Sequence, residues 1–117
     1  MTPTVAVLDY GFGNVRSAVR AAEHVGTQAI LSSDFDTCLN ADGLIIPGVG
    51  AFAACMQGID KVRGGSLVDA RLIANRPILG ICVGMQIMFA QGIEHGIRTN
   101  GLAQWPGVVD RLVASIV

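Results

Sequence analysis

Apolar positions along the chain fall into short blocks separated by glycine. Val5-Ala6-Val7-Leu8 is a β-branched run closed by Asp9, the pattern of a buried strand. After a turn of Gly11, Gly13 and Asn14, Val15, Ala18, Val19, Ala22 and Val25 recur at helical spacing, and Gly26 stands where helices end. Gln28 to Leu31 predicts a second strand, followed by a polar stretch from Ser32 to Thr37. Gly43-Leu44-Ile45-Ile46 predicts a third strand, stopped by Pro47-Gly48-Val49-Gly50. A helix is expected over Ala51 to Ile59, weakened by Gly58. Gly64 and Gly65 are expected to break the chain, with Ser66 and Asp69 as a capping box for a helix from Leu67 to about Asn75. Pro77 enters another buried strand, which leads to a helix over Met85 to Gln91. Gly92 to Gly107 reads as irregular, and Val108 to Val117 as a weakly alternating strand.

Strands that alternate with helices, and that lack strict period-two alternation, predict an α/β fold. The expectation is three layers: a mostly parallel sheet with helices on both faces. Such sheets bind ligands at the carboxyl ends of their strands. Three turns are expected there together: Asp9 to Asn14, Pro47 to Gly50, and Gly80 to Gly84.

Composition changes this picture in one respect. Over 117 residues, which allow a single domain, 51% are hydrophobic and 15% charged, against about 25% charged in typical soluble domains. So apolar a small chain is expected either to meet a large interface or to be part of something larger. The formal net charge of -1 gives no sign of a nucleic-acid or anionic-membrane surface. No apolar run approaches the length of a membrane span, and no signal-like segment opens the sequence. Three cysteines, an odd number, argue against a disulfide framework and for a reducing cytoplasm.

The candidate chemistry lies in Gly80-Ile81-Cys82-Val83-Gly84. A strand that turns sharply into a helix, with a glycine on either side of a nucleophile, has the pattern of a nucleophile elbow. Cys82 would then sit at the positive end of the following helix, which favours thiolate. Cys38 and Cys55 read as small buried hydrophobes. Gly11 and Gly13 complete neither a Gly-x-Gly-x-x-Gly motif nor a P-loop, so no nucleotide or other cofactor is expected, and no metal. Asp9 fits a turn-bonding role at least as well as a catalytic one. His24 and His95 read as surface or capping residues, and Arg16 and Arg20 as a solvated helix face.

Taken together, Asp9-Tyr10-Gly11-Phe12-Gly13-Asn14, Pro47-Gly48-Val49-Gly50-Ala51-Phe52 and Gly80-Ile81-Cys82-Val83-Gly84-Met85-Gln86 resemble class I glutamine amidotransferases. More narrowly, they look like the glutaminase subunits of imidazole glycerol phosphate synthase, a histidine-biosynthesis enzyme. The likeness runs over essentially the whole chain, 1–117, including Trp105-Pro106-Gly107. It implies that Cys82 attacks the side-chain amide of L-glutamine and releases ammonia. It also implies oxyanion donors at Val49, Gly50 and Val83, and substrate contacts at Gly48 and Gln86. The glycines flanking Val49 suit a peptide that reorients. The implied partner is the cyclase subunit, a (β/α)8 barrel, in a heterodimer, with the Arg16 and Arg20 side of the first helix turned toward it.

The family draws its catalytic base and the acid that orients it from a His-x-Glu segment farther along, which this sequence does not contain. The fold is therefore expected to be incomplete at its C-terminus and the chain inactive alone. A helix after Cys82 would carry His95, and Glu94 beside it, roughly 13 Å away, and His24 is expected at the opposite edge of the sheet. The alternative reading is a non-catalytic amidotransferase-like module that binds the cyclase.

Overall fold

Residues 2–113 are described by a computed structural model of the chain. At its centre are four parallel strands, β1 (Thr4–Leu8), β2 (Gln28–Ser32), β3 (Gly43–Gly48) and β4 (Ile78–Cys82). They lie in the order β2-β1-β3-β4, in a register that sets Ala6 beside Ile30 and Leu44, and Gly48 beside Cys82. On one face α1 (Val15–His24) buries Ala18 and Ala22. The other face carries α2 (Phe35–Asn40), α3 (Phe52–Lys61) and α4 (Gly64–Ile73). Ala6, Leu8, Leu44 and Ile46 meet Cys38, Cys55, Ile59, Leu67 and Val68 there in one buried cluster. The expected α/β architecture, a parallel sheet with helices on both faces, is what the chain adopts.

Several local expectations are corrected. The polar stretch after β2 contains α2, because the Asp34 carboxylate accepts from the Thr37 N–H at 2.9 Å and caps it. Gly64 and Gly65 begin α4 rather than break the chain. Arg63 takes the left-handed conformation (φ 58°) as its N-cap, and no Ser66 cap is used. The helix expected over Met85 to Gln91 is a single turn, α5 (Val83–Gln86). The glycine-rich stretch after it folds as a second sheet of β5 (Phe89–Glu94), β6 (Ile97–Asn100) and β7 (Trp105–Val109), in the order β6-β5-β7. Gly92 is needed there because the Phe52 ring occupies the space a Cβ would take, at 2.5 Å. The strand expected over Val108 to Val117 ends at Val109, and its last four positions lie outside the described residues.

One buried cation ties α2, α4 and two strands together. Arg71 on α4 is fully buried and donates to the carbonyls of Cys38, Leu39, Ala41, Asp42 and Pro77 at 2.7 to 3.4 Å. These are the last carbonyls of α2 and the entries to β3 and β4, and helix geometry leaves the α2 carbonyls without partners. Arg76 adds bonds to Asn40 and Ala41 from a more exposed position. Replacing Arg71 by Met should lower stability, measured by urea titration, by about 3 kcal/mol, since the carbonyls of Cys38, Leu39, Asp42 and Pro77 lose their charged donor. Arg76→Met should cost less than about 1 kcal/mol by the same urea titration.

Candidate active site

In a sheet ordered β2-β1-β3-β4, the chain leaves β1 toward one face and β3 toward the other, which opens a crevice at their carboxyl ends. The three predicted turns meet at this edge. Asn14 ends the first and caps α1, its Oδ1 accepting from the Ser17 N–H at 3.3 Å. The second turn follows β3 directly, and the third begins at the last residue of β4.

Close backbone contact holds the second and third turns together. A Cβ on Gly84 would overlap the Ile46 carbonyl oxygen, and one on Gly48 would overlap the Gly84 amide and reach the Tyr10 hydroxyl at 2.8 Å. Only hydrogens fit between β3 and the elbow. Between them Cys82 adopts φ 57° and ψ -122°, a conformation that costs an L-residue about 1–3 kcal/mol and that the surrounding contacts impose. Its thiol is exposed.

Cys82 lines a groove of about 320 Å³ with Asn14, Ser17, Pro47, Gly48 and Val49. Gly50 stands exposed at the next position with φ +85°. Val83 is buried beneath the elbow. The Leu44 N–H donates to the Pro77 carbonyl at 3.3 Å. Alternate residues of a strand make the bonds to one parallel neighbour, so Leu44, Ile46 and Gly48 are the bonding residues of β3. Gly48, paired with Cys82, thus turns its carbonyl toward the Val83 amide.

Gln86 is not in this groove. It lines a neighbouring cavity of about 490 Å³ with Glu94, His95, Asp110 and Arg111. Because α5 is one turn long, β5 folds back and brings His95 into that cavity, which corrects the expectation of a long helix carrying it away. His95 still shares no cavity lining with Cys82. His24 ends α1, at the opposite edge of the sheet, as expected. A four-residue helix also has little of the macrodipole first assigned to it; what α5 offers is the N–H groups of a first turn, which have no partner within the helix.

Three residues near the loop were not singled out by the sequence for these contacts. Glu94 reaches from β5 to accept from the Phe52 N–H at 3.1 Å, capping α3, whose N-cap Ala51 has no side chain to do so. The Tyr10 hydroxyl donates to the Pro47 carbonyl, and the Cys55 thiol to the Val49 carbonyl at 3.3 Å. Burial pushes the Cys55 thiol and the Tyr10 phenol up from their ordinary values, so both remain donors at neutral pH. Among the described residues no cluster of His, Cys, Asp and Glu could hold a metal ion, and no helix is long and apolar enough to cross a membrane.

Comparison with known proteins accords with this geometry. The family model described as glutamine amidotransferase class-I matches residues 6–101. The chain belongs to that family. This amidotransferase chain is 60% identical over its 117 residues to the imidazole glycerol phosphate synthase subunit HisH of Corynebacterium efficiens, covering 100% of itself and 56% of the relative. It is 59% identical over 113 residues to the HisH subunit of Streptomyces avermitilis, covering 97% of itself and 53% of that protein. It thus spans about half the length of the curated relatives it matches. A crystal structure of a glutamine amidotransferase shares its fold, with a TM-score of 0.74 at 19% identity over 92% of this chain and 56% of that one.

The raised thiols predict a pH response of the amidotransferase fold. Cys38 and Cys55 are both pushed above the ordinary thiol value of 9.0, chiefly by burial. The native state then holds these protons more tightly than the unfolded chain, so their contribution is complete below pH 9.0 and is lost as pH rises through the native values. Melting temperatures measured between pH 7 and pH 11 should fall above about pH 9, and less steeply for the Cys38→Ala/Cys55→Ala double variant, measured from its own neutral-pH value.

Proposed function

We propose that this chain carries the nucleophile-bearing part of a glutaminase that supplies ammonia to the cyclase subunit of imidazole glycerol phosphate synthase. The observation that carries the reading is the elbow: Cys82, exposed and at φ 57°, stands at the end of β4 beside the Gly48-Val49-Gly50 loop. The Cys82 sulfur attacks the side-chain amide carbon of glutamine. The C–N bond breaks, ammonia leaves with the proton it gains, and water then cleaves the thioester to glutamate. N–H groups of Val49, Gly50 and Val83 stabilise the oxyanion in turn. For Val83 to serve, the Gly48 carbonyl facing it must swing away, and the missing Cβ at Gly48 makes that turn inexpensive.

Gln86 and Glu94 hold the amino-acid end of the substrate, the carboxylate of Glu94 suiting an α-ammonium group. Gly48 keeps the backbone low enough for the substrate to pass. The proton acceptor for the thiol comes from residues other than those described, since neither His24 nor His95 shares the groove of Cys82. The protein works in the cytoplasm as one half of a heterodimer with the cyclase.

Peptide mass spectrometry after exposure to a glutamine-derived diazoketone tests this reading. Cys82 should be modified while Cys38 and Cys55, both buried, stay free. Equal modification of the three thiols would count against a retained nucleophile and for a non-catalytic module that only binds the cyclase.

A further inference from the structure

The chemistry just proposed leaves unused two buried donors that converge on the glycine loop from different elements. Tyr10 comes from the turn after β1 and holds the Pro47 carbonyl; Cys55 comes from α3 and holds the Val49 carbonyl. They are 5% and 0% exposed. The other buried cysteine shows that this contact is not generic: the Cys38 thiol donates to the Ser32 carbonyl at 3.5 Å, at the end of β2.

A trans peptide is planar, with its carbonyl and N–H on opposite sides. Holding the Pro47 carbonyl therefore fixes the Gly48 N–H, and holding the Val49 carbonyl fixes the Gly50 N–H. Between these two anchored peptides lies the Gly48–Val49 peptide, which neither side chain touches. Opposite rotations about ψ of Gly48 and φ of Val49 turn that one unit over and leave both neighbours where they are. Its carbonyl now faces the Val83 amide; turned over, it presents the Val49 N–H to the same space. Without the clamps, the loop could move as a whole and lose its alignment with Cys82.

We propose that Tyr10 and Cys55 are positioning residues, a pair of clamps that confine the movement of the glycine loop to the Gly48–Val49 peptide. The proposal rests on the glutaminase reading of Cys82. Neither residue touches substrate; each acts through a backbone carbonyl.

The test compares trapping of Cys82 by a glutamine-derived diazoketone, whose carbonyl uses the oxyanion donors, with trapping by iodoacetamide, which makes no such demand. Cys55→Ala and Tyr10→Phe should each lower the ratio of the two rates by about tenfold, as expected for one lost hydrogen bond in positioning. Cys55→Ser, which restores a donor, should return the ratio to within about twofold of the parent. Cys38→Ala, which removes a buried thiol elsewhere, should leave it unchanged. An unchanged ratio in both Cys55→Ala and Tyr10→Phe overturns the clamp, whatever the melting temperatures. If the parent Cys82 does not react with the diazoketone, the glutaminase reading fails, and NMR decides the clamp separately. The Val49 carbonyl signal must then move in Cys55→Ala and return in Cys55→Ser; a signal that stays in place overturns the proposal.

Discussion

The backbone of β3 and the backbone of the elbow touch with no side chain between them, and the rest of the site depends on that contact. Gly84 lies against the Ile46 carbonyl, Gly48 against the Gly84 amide, and a Cβ on Gly80 would come within 2.7 Å of Gly84 and Met85. The approach holds Cys82 at a positive φ of 57° and leaves it exposed at the end of β4. It also places the loop after β3 beside the nucleophile. Strain at one residue is held by burial around it, as Val83, Gly84, Ile87 and Met88 are all buried beneath the exposed thiol.

Much of this was legible in the sequence because the informative residues are local. β1, α1, β2, β3, α3 and β4 could be read from apolar blocks bounded by glycine, and the three loops follow from the chain order of a parallel sheet. What escaped reading depends on partners distant in sequence. The polar residues after β2 hide α2, whose buried side is little more than Cys38 with Phe35 and Leu39 beside it. The glycines after Gly92 look like loop, yet Gly92 is small because the Phe52 ring packs against it, and Gly101 because the Phe89 carbonyl lies where its Cβ would be. The Glu94 cap on α3 spans 42 residues and the Tyr10 bond to Pro47 spans 37, so no local pattern marks either. For Cys55 the sequence signal was a polar atom among apolar neighbours, and for Tyr10 its place in the Asp9 to Asn14 turn, neither of which names the bonded carbonyl.

The apolar composition also finds a physical place. Among the described residues β4 has β3 as its one partner, and Leu79 and Ile81 on it are 56% and 42% exposed. Ile45 and Leu79 line an apolar groove with Val25 on the face that, among the described residues, α1 alone covers. A strand edge of this kind is a template for further pairing. The same edge ends at Cys82, so whatever pairs with β4 also stands beside the nucleophile. Under the proposed reading, a base for Cys82 and a pairing partner for β4 are needed at one place.

The central claim is that Cys82 is a glutamine-amide nucleophile whose base comes from elsewhere. Its most direct test is ammonia release from glutamine by this chain, alone and mixed with the portion of the Corynebacterium efficiens relative that it does not match. The account predicts no release from the chain alone, and release from the mixture that disappears in Cys82→Ala. Release that persists in Cys82→Ala, or that the chain achieves without the added portion, would contradict it.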